Sequence, residues 1–250
     1  MSIPHAQSTV DAAEIGNFEA MAAEWWDPNG RLRPLHDLNP VRLDYLKREI
    51  CARFGRDVRD SRALEGLAIL DIGCGGGLLT EPLTRMGATM VGADAGAANI
   101  AAARAHAEAQ GLAIDYRATT AEALAAAGER FDVVVAMEIV EHVADLPLFL
   151  CEVAKMVKPG GLLFLATMNR TLKSFALAIV GAEYILRWLP IGTHDWKKFL
   201  TPKELERAVE ATGLAVLDAC GMVFDPFRGR WSLAAGDLDV NYLMVAERAA

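Results

Sequence analysis

The chain has 250 residues, 53% of them hydrophobic, and a formal net charge of −8 at pH 7. That length supports one α/β domain with appendages and a substantial core, and the acidic balance argues against nucleic acid as the main partner, because phosphate contacts need Lys and Arg to replace counterions. Cys51, Cys74, Cys151 and Cys220 are scattered without CxxC or metal-type spacing, so reduced thiols are expected rather than a disulfide framework.

The first residues carry Asp11, Glu14 and Glu19 with no basic start before an apolar block, which argues against a signal peptide. No stretch reaches the roughly 18 uncharged apolar residues that a membrane span requires. Phe18, Met21, Ala22 and Trp25 then recur at helical spacing, and Pro40–Phe54 reads as a second helix. Residues 1–62 are expected to form an N-terminal helical cap over the open end of a sheet, with plain packing of an extension as the alternative.

From Leu67 onward, short aliphatic runs alternate with helical patterns. The strands expected here are Leu67–Ile72, Thr89–Ala93, Ala113–Arg117, Phe131–Ala136 and Gly161–Thr167. Between them lie the Leu79/Leu83/Met86 stripe, a helix over Ala97–Gln110 closed by Gly111, and a helix opening at Asp145 with Leu150, Val153 and Val157 at helical spacing. The rhythm breaks over residues 168–199, an apolar insertion. It resumes at Thr201-Pro-Lys-Glu204, a capping box with Pro at the first helical position, and Gly213 ends that helix. Leu214–Cys220 and Val240–Ala246 are the last strands, joined without an obvious helix, so that the final strand runs antiparallel. The expected fold is a single α/β domain over residues 1–250: a doubly wound, seven-stranded, mostly parallel sheet with one antiparallel strand in the edge region.

The stretch "ILDIGCGGGLLT" asks what lies against so much bare backbone. A dinucleotide fold wants G-x-G-x-x-G, but starting at Gly73 the third glycine is replaced by Leu78, and no Gly-Lys-Ser/Thr follows to make a phosphate loop. Asp94 ends the second strand, 21 residues after Gly73, where an acid can accept hydrogen bonds from two ribose hydroxyls. The spacing therefore points to a nucleoside with an intact ribose; the alternative is a purely structural glycine turn.

"ILDIGCGGG", "VGAD", "FDVVVAMEIVEHV" and "VKPGGLLFLAT" resemble the four successive motifs of class I S-adenosylmethionine-dependent methyltransferases, a Rossmann-like family. Outside them, "WWDPNG…PLHDLNPVRLDY", "MNRTLKSF…VGAEYILRWLPIGTHD" and "DVNYL" are similar to the ubiquinone-biosynthesis O-methyltransferases, which methylate catechol-type intermediates. The resemblance implies S-adenosylmethionine as cofactor, with Gly73 and Gly75 at its methionine part, Asp94 on the ribose and Met137 on the adenine side. Arg42 matches a cofactor-binding position, and a guanidinium there suits the methionine carboxylate. Read without the family, Arg42 is a surface helix arginine and Met137 fills core. The implied acceptor is a polyprenylated catechol or quinol, methylated at both O-methylation steps of that pathway.

A phenol titrates near 10, so its phenolate is disfavoured at neutral pH by about 4 kcal/mol. Glu138, Glu141 and His142 stand at i, i+3 and i+4 after the fourth strand, and in a helical turn would share one face. His142 is the natural general base. The alternative is metal assistance, in which Glu138, Glu141 and His142 hold Mg2+ against both catechol oxygens; the third reading is a helix start with dipole-complementing acids.

The segment "SFALAIVGAEYILRWLPI", residues 174–191, is too apolar for a surface loop, and Arg170, Lys173, Lys197 and Lys198 flank it. It is expected to lie on an anionic membrane surface, placing a cytoplasmic protein at the inner face of the membrane, with a lid helix over the site as the alternative. Other ubiquinone-biosynthesis enzymes are candidate partners under the same resemblance. Rival readings are an NAD-dependent oxidoreductase, opposed by Leu78, a methyltransferase of another phenol, and a non-catalytic nucleoside binder within a biosynthetic complex.

Overall fold

The computed structural model describes residues 8–176 and 196–250. In chain order these form α1 (Ala12–Glu19), a 3-10 turn at Ala22–Glu24, α2 (Arg33–Phe54), β1 (Ala68–Ile72), α3 (Thr80–Arg85), β2 (Thr89–Asp94) and α4 (Ala97–Ala109). Then come β3 (Asp115–Ala118), α5 (Ala121–Ala126), β4 (Phe131–Met137), α6 (Leu146–Met156), β5 (Val157–Met168) and the short turn α7 (Leu172–Ser174). The chain ends with α8 (Pro202–Glu210), β6 (Ala215–Asp225), β7 (Arg230–Ala234) and β8 (Asn241–Glu247).

Eight strands make one sheet in the order β3-β2-β1-β4-β5-β8-β6-β7. β1 to β5 are parallel, while β8 pairs antiparallel with both β5 and β6, and β7 closes the edge as a hairpin with β6. The doubly wound expectation holds, and the last strand is antiparallel as expected. The sheet has one strand more than the seven anticipated, because β7 pairs Phe224 with Trp231 and Asp225 with Arg230. β8 lies between β5 and β6 rather than at the edge.

The strands read as unbroken apolar runs because both faces of the sheet are covered. Leu70, Val134, Leu163 and Met244 pack on one side against Phe149, Leu150 and Val153 of α6. Ile69, Val133, Leu162 and Val245 pack on the other against Leu46 and Ile50 of α2. α6 starts where Asp145 accepts a hydrogen bond from the Leu148 amide at 2.9 Å, and α8 starts at the expected capping box, Thr201 with Glu204.

Two boundaries differ from expectation for identifiable reasons. α2 begins at Arg33, not at Pro40; Pro34 opens it and Pro40 sits inside, where a missing N–H is tolerated because Leu38, Tyr45 and Leu46 bury the helix against the sheet. The segment after β4 is not helical. Glu138 adopts φ 51°, the left-handed region, and Val140 to His142 make a turn in which the His142 amide donates to the Ile139 carbonyl at 2.9 Å. The helical face predicted for Glu138, Glu141 and His142 is therefore absent.

Most of the apolar insertion, residues 177–195, lies outside the described residues. Among the described residues, no helix is long and apolar enough to cross a membrane.

Candidate active site

The parallel strands all point their carboxyl ends at one edge of the sheet, the place where ligands of such folds sit. A cavity of about 710 Å³ follows that edge, bordered by Arg42, Gly73, Gly75, Asp94, Met137, Glu138, Glu141 and His142. Every residue singled out for a site in the sequence therefore borders one space, and its size falls within the range of about 300–1,000 Å³ usual for small-molecule sites.

The glycine loop turns sharply between β1 and α3. Gly73 and Gly75 take φ 77° and 52°, values that L side chains avoid. The Gly73 and Cys74 amides both donate to the Ala93 carbonyl, tying the loop to β2. Asp94 is then held from three directions: one carboxylate oxygen accepts the Gly75 amide at 3.0 Å, the other accepts the Gly96 amide at 2.7 Å and the Asn99 side-chain amide at 3.2 Å. Burial raises the Asp94 pKa, with Glu19 adding to the effect while these three donors oppose it. A carboxylate offers about four lone-pair directions, so a ribose hydroxyl can be added to the three donors already present.

Trp25, marked in the sequence by its helical spacing and as part of the WWDPNG likeness but given no site role, lies across the loop. A Cβ built on Gly75 or Gly76 would come within 2.3 Å of its ring, and its indole N–H donates to Asn99 Oδ1 at 2.9 Å. Trp26 donates to the Gly76 carbonyl at 2.9 Å and stacks on His106, centroids 3.5 Å apart. The N-terminal segment thus builds a wall against the glycine loop. Asn99 was also missed; its signal was its place five residues after Asp94, on the first turns of α4.

Arg42 is buried, at 5% exposure, and one guanidinium nitrogen donates to Glu138 Oε1 at 3.0 Å. Its Nε is buried with no hydrogen-bond partner. Buried donors are nearly always paired, so an orphaned guanidinium N–H beside the cavity suits an incoming carboxylate. Asp71 below it accepts from Thr80 at 2.6 Å, and burial pushes its pKa up to about 6. These features fit an amino-acid nucleoside such as S-adenosylmethionine.

The acid–imidazole cluster is arranged differently from the sequence expectation. Glu138 turns to Arg42, Glu141 accepts from the fully buried Thr167 hydroxyl at 2.9 Å, and His142 Nδ1 lies 3.1 Å from Glu14 Oε2 of α1. Burial together with the nearby Glu138 charge raises the Glu141 pKa far above the usual carboxyl range. Among the described residues, no group of three His, Cys, Asp or Glu side chains is placed to hold a metal ion. As arranged here, the proposed Mg2+ ligands Glu138, Glu141 and His142 do not fit one. Phe18 packs edge-on against the His142 ring, centroids 5.2 Å apart, so α1 fixes the imidazole from two directions.

A family profile described as "Methyltransferase domain" matches residues 70–165. The chain is 60% identical over 242 residues to the Ubiquinone biosynthesis O-methyltransferase of Dinoroseobacter shibae, covering 97% of this chain and 98% of the relative. It is 58% identical over 245 residues to the protein of the same name from Brucella anthropi, covering 98% of each. Among solved structures, a magnesium protoporphyrin IX methyltransferase from Synechocystis with bound SAM superposes with a TM-score of 0.57 at 15% identity, covering 96% of this chain and 100% of that one. At that identity the likeness concerns the fold alone.

Proposed function

The chain belongs to the ubiquinone biosynthesis O-methyltransferase family, and from that premise we propose how its own residues carry out S-adenosylmethionine-dependent O-methylation in ubiquinone synthesis. The acceptor is a polyprenylated phenol, and we assign the chain both catechol-type O-methylations of that pathway. When bound, S-adenosylmethionine supplies a methyl group already activated by a positive sulfur. Arg42 pairs with the amino-acid carboxylate through its orphaned Nε–H, Asp94 accepts from the ribose, Gly73 and Gly75 allow close backbone approach, and Met137 lines the adenine side.

Much of the protein's task is alignment of an oxygen nucleophile. His142 is the base that lowers the remaining cost of forming the phenolate. Glu14 faces Nδ1, which selects the tautomer with the proton on Nδ1 and the lone pair on Nε2. His142 Nε2 then receives the phenol proton, and the Glu14 carboxylate steadies the imidazolium. Glu141, whose pKa burial raises, accepts a hydrogen bond from the Thr167 hydroxyl and borders the cavity beside the base.

One observation carries this reading: Arg42, Asp94, and Met137 with the nearby His142, drawn from three separate parts of the sequence, border the same cavity at the carboxyl edge of the sheet. Incubation with methyl-labelled S-adenosylmethionine and a short-chain prenyl catechol tests it. Label appearing on the ring oxygen is expected; uptake of cofactor without any transfer would leave only a binding role.

We read the chain as one catalytic domain with residues 1–62 as cap and 168–199 as insertion. The insertion supports contact with a membrane surface by its apolar composition, but its flanking cations add less than their number suggests. Lys173 pairs with Asp237 and Asp239, Lys198 with Glu14 and Asp11, and Arg170 with Glu204. Binding to vesicles is therefore expected to depend mainly on apolar insertion and only weakly on salt. A flotation assay with anionic vesicles at low and high salt checks this, and failure to bind at either salt would remove the membrane role.

A further inference from the structure

We propose that the β6–β7 hairpin forms a subsite for the prenyl tail of the acceptor, with Phe224 and Trp231 as its specificity-determining pair; this rests on the functional reading above. The cavity runs along the whole carboxyl edge of the sheet, and its chemistry changes on the way. Over β2, β1 and β4 its border carries the groups suited to a nucleoside: Asp94, Gly75 and Arg42. Past Met168, the end of β5, the border becomes Met222, Phe224, Pro226 and Trp231, with Leu38 of α2 in the same apolar cluster as Met222 and Trp231. α2 packs against β7, so the added edge strand closes this end. The polar side chains there include Lys173 and Asp237, which satisfy each other in an ion pair at 3.2 Å.

The register places the pair. Met168 of β5 lies opposite Asn241 of β8, and Asn241 lies opposite Met222 of β6. Phe224, two residues further toward the carboxyl edge, lies opposite Trp231, and their rings are 5.4 Å apart at 52°. From β4, where His142 follows, to β6 there are three strand-to-strand steps of about 4.8 Å each, a reach of a few isoprene units. A ring presented to His142 has the nucleoside on one side, so a tail leaving the other side runs over β5 and β8 to the hairpin. Beyond Pro226 the hairpin tip carries Phe227, 99% exposed, so apolar surface continues from the cavity to the outside. A border made mostly of apolar side chains at this end suits a hydrocarbon occupant.

The test measures kcat/KM for catechols carrying no tail or one, two or three isoprene units, in the full-length protein and in Trp231→Ala, Trp231→Phe and Phe224→Leu. In the wild type the triprenyl acceptor is expected to exceed the tailless one at least tenfold. Trp231→Ala and Phe224→Leu are expected to cut that ratio severalfold or more, and Trp231→Phe to restore most of it. S-adenosylhomocysteine binding reports that each variant is folded; should Trp231→Ala fail to fold, the two conservative variants carry the comparison. A ratio unchanged from wild type in whichever of Trp231→Ala and Phe224→Leu is folded would overturn the subsite. Absence of transfer to any acceptor in the wild type would instead overturn the functional reading beneath it.

Discussion

Glu14 and His142 are 128 residues apart in sequence and meet as carboxylate and imidazole. Replacing His142 by alanine is expected to lower kcat by about 10²–10⁴, the usual worth of a positioned general base, with the calorimetric Kd for S-adenosylhomocysteine nearly unchanged. An unaltered kcat would dismiss the base. Arg42→Lys keeps the charge but loses the planar fork; a charge-assisted hydrogen bond contributes about 1.5–3 kcal/mol, so cofactor Kd is expected to rise about tenfold or more. Of the residues that border the cavity, Asp94 and His142 were marked by motif spacing, whereas Arg42 and Met137 were marked by family likeness alone. The sequence did not carry Glu14, which meets His142 only across the fold, and Asn99 was missed although its contact with Asp94 is local. Nor could i, i+3, i+4 spacing reveal that Glu138 adopts a left-handed conformation and sends its neighbours to separate partners.

At the scale of elements, the glycine loop and the N-terminal wall are one construction. Gly75→Ala would place a methyl within 2.3 Å of Trp25 in a backbone conformation that alanine disfavours. It is expected to weaken cofactor binding and loosen the wall together, seen as a raised Kd and faster amide exchange in residues 20–30; exchange left unchanged would separate the two elements. At α8, Thr201→Ala removes a side-chain cap on the Glu204 amide, and a loss of about 1 kcal/mol in unfolding free energy is expected from denaturant titration. That cap was readable because capping is local chemistry. β7 was not, because Arg230–Ala234 has only partial burial to show, and its pairing with β6 is a tertiary fact. The start of α2 was misplaced for the same reason: burial against the sheet carries the helix through Pro40.

For the molecule as a whole, buried acids set a pH dependence of stability. Asp71 is pushed up to about 6 from 3.8 by burial, with the Asp94 charge adding and the Thr80 hydrogen bond opposing. A folded pKa above the unfolded one favours folding while the group is protonated, so this contribution is present below about pH 4 and lost as pH rises through about 6. A shift of that size corresponds to about 3 kcal/mol. Asp71→Asn is therefore expected to gain stability over wild type at pH 7.5 and to show little difference at pH 4, as read by chemical denaturation; an equal effect at both pH values would contradict the burial argument. Fold class and the cavity's position were legible because alternating β and α units leave one edge of the sheet for a ligand, whereas the cavity's extent as far as β7 required the folded chain.

The account depends above all on the cavity beside Gly73 and Asp94 taking up an adenosine that carries the methyl donor. Titration calorimetry of the full-length protein with S-adenosylhomocysteine tests this most directly. Saturable binding of one nucleoside per chain is predicted, abolished or greatly weakened in Asp94→Ala; no heat of binding from folded wild-type protein, or undiminished affinity in that variant, would contradict it.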